Sequence, residues 1–158
     1  AVDIFEVKPP PDQLFEEERW LRAEENLEDA LAGKLDLTEV LRQKIAGSRR
    51  KKPPLLSRPN RVEVDNQSSS FFTIIEVFTY DYPGLLFNIT DAIFACRLDI
   101  WVAKIATKVD QVVDVFYVRD FDGQKVDVAV QVAAIKKTIA ERLLVNRRTG
   151  RADAAATT

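Results

Sequence analysis

The sequence predicts an α+β protein built as a two-layer sandwich, in which a four-stranded antiparallel sheet carries two helices on one face. Three observations lead to this prediction. Residues 71–79 are β-branched and aromatic, which is typical of a central strand. Residues 98–108 and 111–119 form two more apolar runs joined by a short turn. Apolar residues recur at helical spacing over residues 85–96 and again over residues 127–145.

These elements belong to one domain, residues 61–145, in the order strand, strand, helix, strand, strand, helix. Its first strand, residues 61–66, alternates valine with charged residues and is expected to form a hairpin with residues 71–79. Compared with the βαββαβ order of the ferredoxin-like fold, the last strand has moved to the front. Residues 71–79 are apolar on both faces, so we expect the sheet face without helices to pack on a neighbour.

The first 47 residues are predicted to be part of a second, similar domain. The segments AVDIFEV, at residues 1–7, and VVDVFYV, at residues 112–118, are alike, which indicates an internal repeat. Chance similarity between two strands is the alternative. Because the chain opens within a predicted strand, we expect it to be a piece of a longer protein.

Two helices are predicted in this first part, over residues 14–32 and 37–46. The apolar side chains of the first helix recur at Trp20, Leu27 and Leu31, and Asp36 is placed to cap the second helix. The basic, proline-rich residues 48–60 are predicted to be a linker, and the polar, alanine-rich residues 146–158 a flexible tail.

Composition excludes several classes of function. The chain has 158 residues, of which 46% are apolar, a net charge of −2, one cysteine and no histidine. The absence of histidine removes the commonest general base and any hydrolytic triad that depends on one. No apolar run reaches the about 18 residues that a membrane span needs, and no strong positive charge attracts nucleic acid or anionic lipid. We therefore expect a cytoplasmic protein that binds neither.

The corner between residues 71–79 and the next helix is the candidate binding site. Pro83 suits the first helical position, and Gly84 allows close approach to the backbone. The N–H groups of Leu85 and Leu86 are expected to be unpaired, so that they can receive a carboxylate, while Asp81 can bind an ammonium group. Together these groups could hold an amino acid. The alternative is a simple turn in which Asp81 caps its own helix.

The residues that follow give a resemblance to a known family. Residues 81–86 read DYPGLL, residues 103–107 read AKIAT, residues 114–118 read DVFYV, and an Asp-Gly turn follows. This series resembles the ACT domain, and more narrowly the last ACT domain of the bifunctional PII uridylyltransferase/uridylyl-removing enzymes. The resemblance covers about residues 61–144, and residues 1–46 resemble the back half of the preceding ACT domain. The sequence departs from the family pattern at Arg97, where a glycine commonly ends the helix, and at the bulky Trp101.

The resemblance implies a regulatory function. The parent enzyme transfers UMP from UTP to a tyrosine of the PII signalling protein and also removes it, and glutamine sensed by the ACT domains decides the direction. The parent enzyme would use Mg²⁺, whereas we expect no cofactor in this chain. Neither the nucleotidyltransferase motif nor the histidines of the hydrolase occur here, so we expect no activity from this chain alone. The expected partners are glutamine, PII through the parent enzyme, and a second ACT domain or a second copy of the chain in a homodimer.

The resemblance and the corner together assign the ligand contacts. They are Asp81, Pro83, Gly84, Leu85, Leu86, Asn88, Lys104 and Ala106. Two other functions stay open: a structural or dimerisation module without a ligand, and an RNA-binding sheet that uses Phe72 and Phe116. The negative net charge disfavours the second of these.

Overall fold

The computed structural model describes residues 6, 15–47, 59–108 and 111–152. The chain divides into two compact units, Ala1–Gly47 and Ser48–Thr158, which are taken separately below. The predicted strand over residues 1–7 lies outside the described residues apart from the exposed Glu6. Most of the predicted linker and the tip of the second hairpin, Val109 and Asp110, lie outside them as well.

The first unit contributes two described helices, α1 (Glu16–Leu31) and α2 (Leu37–Gly47). Asp36 caps α2 as predicted, because its Oδ1 accepts hydrogen bonds from the N–H groups of Thr38, at 2.9 Å, and Glu39, at 3.2 Å. Helix α1 has no buried residue among its sixteen. The apolar side chains of Trp20, Leu27 and Leu31, which recur at helical spacing, are exposed.

The second unit contains one antiparallel sheet and two helices. Its elements are β1 (Arg61–Asp65), β2 (Thr73–Tyr80), α3 (Leu85–Ala95), β3 (Leu98–Lys108), β4 (Gln111–Asp120) and α4 (Ala129–Ala152). The strand order is β1-β2-β4-β3, so β2 and β4 are central and β3 forms one edge. This arrangement confirms the predicted α+β, ferredoxin-like sandwich and the position of β2 inside the sheet.

The core lies between the sheet and the two helices of this unit. Its fully buried side chains alternate along the central strands and recur at helical spacing on α3 and α4: Ile75, Val77, Phe116, Val118, Ile89, Ile93, Ile139 and Leu143. Burial of a side chain of this kind stabilises the fold by about 1.5–3 kcal/mol. One ion pair, between Arg142 of α4 and Asp91 of α3 at 2.8 Å, joins the two helices at the surface.

The opposite face of the sheet is also partly apolar, as predicted, but cationic side chains cover it. The Arg119 guanidinium lies 4.7 Å from the ring centroid of Phe72 and 5.0 Å from that of Trp101. Arg61 lies 4.1 Å from the ring centroid of Phe78. Phe116, in contrast, is fully buried on the helix side, so Phe72 and Phe116 do not form the shared surface that RNA binding through the sheet would require.

Two predicted boundaries are wrong. Strand β2 begins at Thr73, and the preceding Phe71 is 67% exposed, because the chain is still turning there: Ser69 Oγ accepts hydrogen bonds from the N–H groups of Phe71 and Phe72. Helix α4 begins at Ala129, two residues later than predicted, so Val128 precedes the helix and its side chain is exposed.

The predicted tail is helical over residues 146–152, since α4 continues to Ala152. Residues 153–158 lie outside the described residues. Within the described ranges, none of the helices combines the length and apolar character that a membrane crossing requires.

Candidate functional site

The corner between β2 and α3 is a tight turn followed by a helix start. The N–H of Leu85 donates to the carbonyl of Tyr82 at 3.1 Å. Gly84, with φ 85° and ψ 6°, stands third in this four-residue turn, and Pro83 stands second. Proline and a left-handed glycine at these positions are the signature of a type II turn. Pro83 therefore belongs to the turn and is not the first helical residue, because α3 begins at Leu85.

The turn changes which groups are available to a ligand. The predicted unpaired donor at Leu85 is wrong, since that N–H is engaged within the turn. The first bond of the helix runs from the Asn88 N–H to the Gly84 carbonyl, at 3.0 Å. Helix geometry leaves the N–H groups of the two residues between them, Leu86 and Phe87, without an intrahelical acceptor. The donors at the start of α3 are therefore one residue later than predicted.

Asp81 does not cap the helix. The N-cap of α3 is Gly84, and no side chain makes a capping hydrogen bond there. The carboxylate of Asp81 is exposed where the chain leaves β2. The predicted capping role of Asp81 is therefore wrong, whereas the alternative that the corner is simply a tight turn stays open.

Six of the eight predicted ligand contacts lie at or next to this corner. Asp81 and Pro83 are exposed, Gly84 and Asn88 are half-buried, Leu86 is largely exposed, and the Leu85 side chain belongs to the core. Leu85 can therefore contact a ligand at the corner only through its backbone atoms, because its side chain is buried.

The other two predicted contacts, Lys104 and Ala106, have their side chains on the opposite face of the sheet. Lys104 pairs with Val115 in the strand register, and its Nζ lies 5.1 Å from the ring centroid of Tyr117. Cross-strand partners share a face of the sheet. In the second half of β3, from Val102 onwards, the residues that pair with inward-facing β4 residues are Ala103, Ile105 and Thr107.

A β-bulge explains this error. The register between β3 and β4 shifts between Ile100 and Val102, so that Trp101 is an extra residue in β3. Ile100 pairs with the inward-facing Val118, whereas Val102 pairs with Tyr117 on the other face. Because side chains alternate along a strand, one extra residue moves every later side chain to the opposite face.

The structure adds one acidic residue that the sequence prediction missed. Asp114 lies in β4, its side chain is directed towards the helices, and it is only 1% exposed. Its Oδ1 has no hydrogen-bond partner among the described residues. Burial raises the pKa of Asp114 to about 6; a hydrogen bond from the Ala106 backbone opposes this shift, and the charge of Asp81 adds to it.

A sequence signal for Asp114 was present. Val112, Phe116 and Val118 alternate with outward-facing residues, and Asp114 occupies the remaining position of the inward-facing series. A carboxylate at such a position is rarely buried without a partner. Asp114 lies opposite Val77 in the strand register, four residues before Asp81, so the two carboxylates belong to the same side of β2 and β4 but not to the same turn.

Negative charge of this kind suits a cationic group better than a metal ion. In the part of the chain that the structure describes, no group of three or more His, Cys, Asp or Glu side chains is arranged to hold a metal. An ammonium group needs one or two carboxylate acceptors, whereas Ca²⁺ takes six to eight oxygen ligands.

A cavity of about 400 Å³ lies at the other end of the sheet, between the end of α3 and the side of α4. Two of its three charged lining residues, Arg97 and Asp120, are already engaged by the surrounding loop. Arg97 lies 5.3 Å from the ring centroid of Phe121, and Asp120 Oδ1 accepts hydrogen bonds from the N–H groups of Asp122 and Gln124. The corner therefore remains the stronger candidate for a site that binds a zwitterion.

Comparison with known proteins agrees with the resemblance. The chain is 36% identical over 140 residues to the bifunctional uridylyltransferase/uridylyl-removing enzyme of Gluconobacter oxydans. The corresponding enzymes are 38% identical over 145 residues in Rhodopseudomonas palustris and 39% identical over 140 residues in Bradyrhizobium diazoefficiens. This chain is a relative of these bifunctional enzymes.

The similarity covers 88–90% of the chain but only 15–16% of each relative. The chain therefore corresponds to a short region of these enzymes, and the activity in their name is that of much longer proteins. No protein-family model matches the chain, and no solved structure matches it either.

Proposed function

We propose that the chain is a regulatory ACT region that senses glutamine within an enzyme that uridylylates and deuridylylates the PII signalling protein. The observation that carries this proposal is the similarity to bifunctional uridylyltransferase/uridylyl-removing enzymes, which extends over 88% of the chain. A ferredoxin-like sandwich with an acidic corner at the end of a central strand is compatible with such a role. The proposal implies a cytoplasmic location. It also assigns any step that depends on Mg²⁺ to parts of the parent enzyme other than the region that this chain represents.

In this proposal the corner binds the two charged ends of an amino acid. The ligand carboxylate accepts hydrogen bonds from the backbone N–H groups at Leu86 and Phe87, where the helix dipole also favours negative charge. The ligand ammonium faces the exposed carboxylate of Asp81. The side-chain amide of glutamine needs a donor and an acceptor, and the amide of Asn88, one turn into α3, can supply both.

The test is a calorimetric titration of the chain with glutamine, followed by the other amino acids at the same concentration. Asp81→Ala removes a charge-assisted hydrogen bond, so we expect about 10- to 150-fold weaker binding, equivalent to about 1.5–3 kcal/mol. Asp122→Ala is the matched control, because Asp122 is an exposed aspartate that lines the cavity at the opposite end of the sheet. Circular dichroism checks that both variants are folded.

The control also decides where the ligand binds. A loss of affinity in Asp122→Ala but not in Asp81→Ala would move the site to the cavity between α3 and α4. A wild-type chain that binds none of the amino acids would contradict the sensing function.

A second candidate function is a dimerisation module without a ligand. The observation in its favour is the edge strand β3, whose apolar side chains are exposed on both faces: Ile100, Trp101, Val102 and Ile105. An open edge of this kind can pair with the edge of a second copy. Sedimentation should then show a concentration-dependent dimer, and Val102→Lys should shift it towards monomer. A monomer at all concentrations would remove this candidate.

A further inference from the structure

The starting point is the face of the sheet that carries no helix. In its apolar part, Trp101, Val102 and Val113 are 59%, 44% and 38% exposed. The register of Val102 and Val113, and the ring contact between Trp101 and Phe72, place all three side chains on this face. Exposed apolar groups that are framed by charged side chains are typical of surfaces that bind other proteins.

The half of this face that β1 and β2 form carries unbalanced negative charge. Glu63 and Glu76 lie directly opposite one another in the register, which destabilises a sheet. Glu63 forms an ion pair with Arg61 at 3.0 Å, whereas no cation in the described part of the chain forms one with Glu76. Asp65, on the same half, accepts two backbone hydrogen bonds from the turn that follows it. Glu76 is therefore a carboxylate that faces a like charge and has no counter-ion.

The other half, which β4 and β3 form, carries the opposite charge. The Nζ of Lys104 lies 5.1 Å from the ring centroid of Tyr117. The Nε of Arg119 donates to the carbonyl of Phe71 at 3.0 Å, which fixes the guanidinium, and its two Nη groups have no acceptor among the described residues. Asp99 pairs with Arg119 in the register, but the two side chains form no ion pair. The cations of this half are therefore held in place with donors that a carboxylate can use.

One row of residues across the strands shows how the two halves match. In strand order this row consists of Glu63, Glu76, Val115 and Lys104, which are two acids, an apolar residue and a cation. A two-fold axis that lies between two such faces, parallel to the strands, reverses the strand order of one face relative to the other. It therefore places the cationic end of each row over the acidic end of the other. Two-fold dimers require a patch that is complementary to itself in this way.

We propose that this face binds the same face of a second copy of the chain, in a two-fold dimer in which the β1–β2 half of each copy lies on the β4–β3 half of the other. Lys104 and Arg119 of one copy then supply the cations that Glu76 lacks in the other. The exposed apolar side chains are buried between the two sheets. This inference goes beyond the proposed sensing function and does not depend on it. It also uses a different surface from the edge of β3.

The size of the face predicts a weak dimer. Four strands at a spacing of about 4.8 Å give a width of about 19 Å, and the eight residues of β2 extend over about 27 Å. The flat area is therefore about 500 Å² for each copy and about 1,000 Å² for the pair, which is the lower limit for a specific interface. Sheets that pack face to face keep their strands within about 30° of one another, which an axis parallel to the strands permits.

The first measurement is sedimentation equilibrium of the wild type and two charge-reversal variants. The wild type should form a dimer with a Kd of about 10–100 µM, as expected for an interface of this size. Lys104→Glu and Glu76→Lys each bring like charges together at both symmetry-related positions, so each variant alone should dimerise at least about tenfold more weakly. Both substitutions are at positions outside the core, and Glu76→Lys also removes the like-charge pair with Glu63. Circular dichroism checks that both variants are folded.

The second measurement mixes the two variants in equal amounts. The new carboxylate of one variant then faces the new ammonium group of the other, so the mixture should dimerise within about threefold of the wild-type affinity. Lys137→Glu is the matched control, because it makes the same change in charge on the exposed surface of α4, where Lys137 lies 3.9 Å from Glu141. This variant should dimerise like the wild type.

The outcomes distinguish this dimer from other arrangements. A wild type that stays monomeric at several hundred micromolar would overturn the inference. A dimer that Lys104→Glu weakens and Glu76→Lys does not would place the contact at the edge of β3, because Glu76 lies on a central strand, and would overturn it as well. The same conclusion would follow if the mixed variants dimerise no better than each variant alone. Glutamine binding is decided separately, by the calorimetric titration.

Discussion

Replacement of Asp114 by asparagine should make the stability of the domain less dependent on pH. The pKa of Asp114 is raised from 3.8 to about 6 in the folded protein, so folding favours its protonated form. The stability that this proton provides is fully present below about pH 3.8 and is lost as the pH rises through 6. A shift of this size corresponds to about 3 kcal/mol, of which about 2–3 kcal/mol is lost between pH 4 and pH 7.5.

The difference between variant and wild type isolates this effect. Other titrating groups contribute to both proteins and cancel, and so does the constant cost of placing an amide in the site. We expect the free energy of unfolding of Asp114→Asn, measured relative to the wild type, to rise by about 2–3 kcal/mol from pH 4 to pH 7.5. Urea denaturation followed by circular dichroism, at several pH values, measures it directly.

A matched control is Asp99→Asn, which removes an exposed carboxylate from the neighbouring strand β3. Its stability relative to the wild type should change by less than about 0.5 kcal/mol over the same range. If the difference between Asp114→Asn and the wild type is also constant with pH, Asp114 is not the buried, destabilised carboxylate that the structure indicates, and the reasoning on its raised pKa is wrong.

Two further predictions concern left-handed residues at the ends of α3. Gly84→Ala should lower the free energy of unfolding by about 1–2 kcal/mol, because Gly84 has φ 85° and a Cβ is strained there; an unchanged urea midpoint would contradict the type II turn. Arg97 has φ 60° at the position where glycine commonly ends a helix. Arg97→Gly should therefore raise stability by about 0.5 kcal/mol, after the greater freedom of glycine in the unfolded chain is subtracted. Arg97→Ala is the control, since it keeps the strain and loses the contact with Phe121; equal stability of the two variants would argue against a strain effect.

The elements that were predictable are those in which one local pattern decides the structure. The β-branched and aromatic run around Ile75 and Val77 predicted a central strand, because such residues fit the surface of a sheet that is covered by its neighbours. The aspartate before α2 predicted the helix start, since a capping side chain acts on the next few backbone groups. The position of the corner followed from the change of period between β2 and α3.

The features that were not predictable depend on more than one segment. The type II turn uses the same proline and glycine as a helix start would, and only the hydrogen bond from Leu85 to Tyr82 distinguishes them. The exposure of α1 depends on what lies beside it, which its own amphipathic pattern does not contain. Helix α4 continues past Val145 without repeating its apolar pattern. The end of the apolar pattern therefore did not predict the end of the helix.

The bulge at Trp101 has the largest consequence for the candidate site, because it decides what faces Asp114. Without the extra residue, the register that pairs Ile100 with Val118 would continue and place Lys104 directly opposite Asp114. A lysine there could pair with the buried carboxylate and neutralise it. With the bulge, Ile105 takes that position and Lys104 lies over Tyr117 on the other face. The chain therefore contains a cation that one residue fewer in β3 would bring to Asp114, and the bulge instead leaves this buried carboxylate opposite the apolar Ile105.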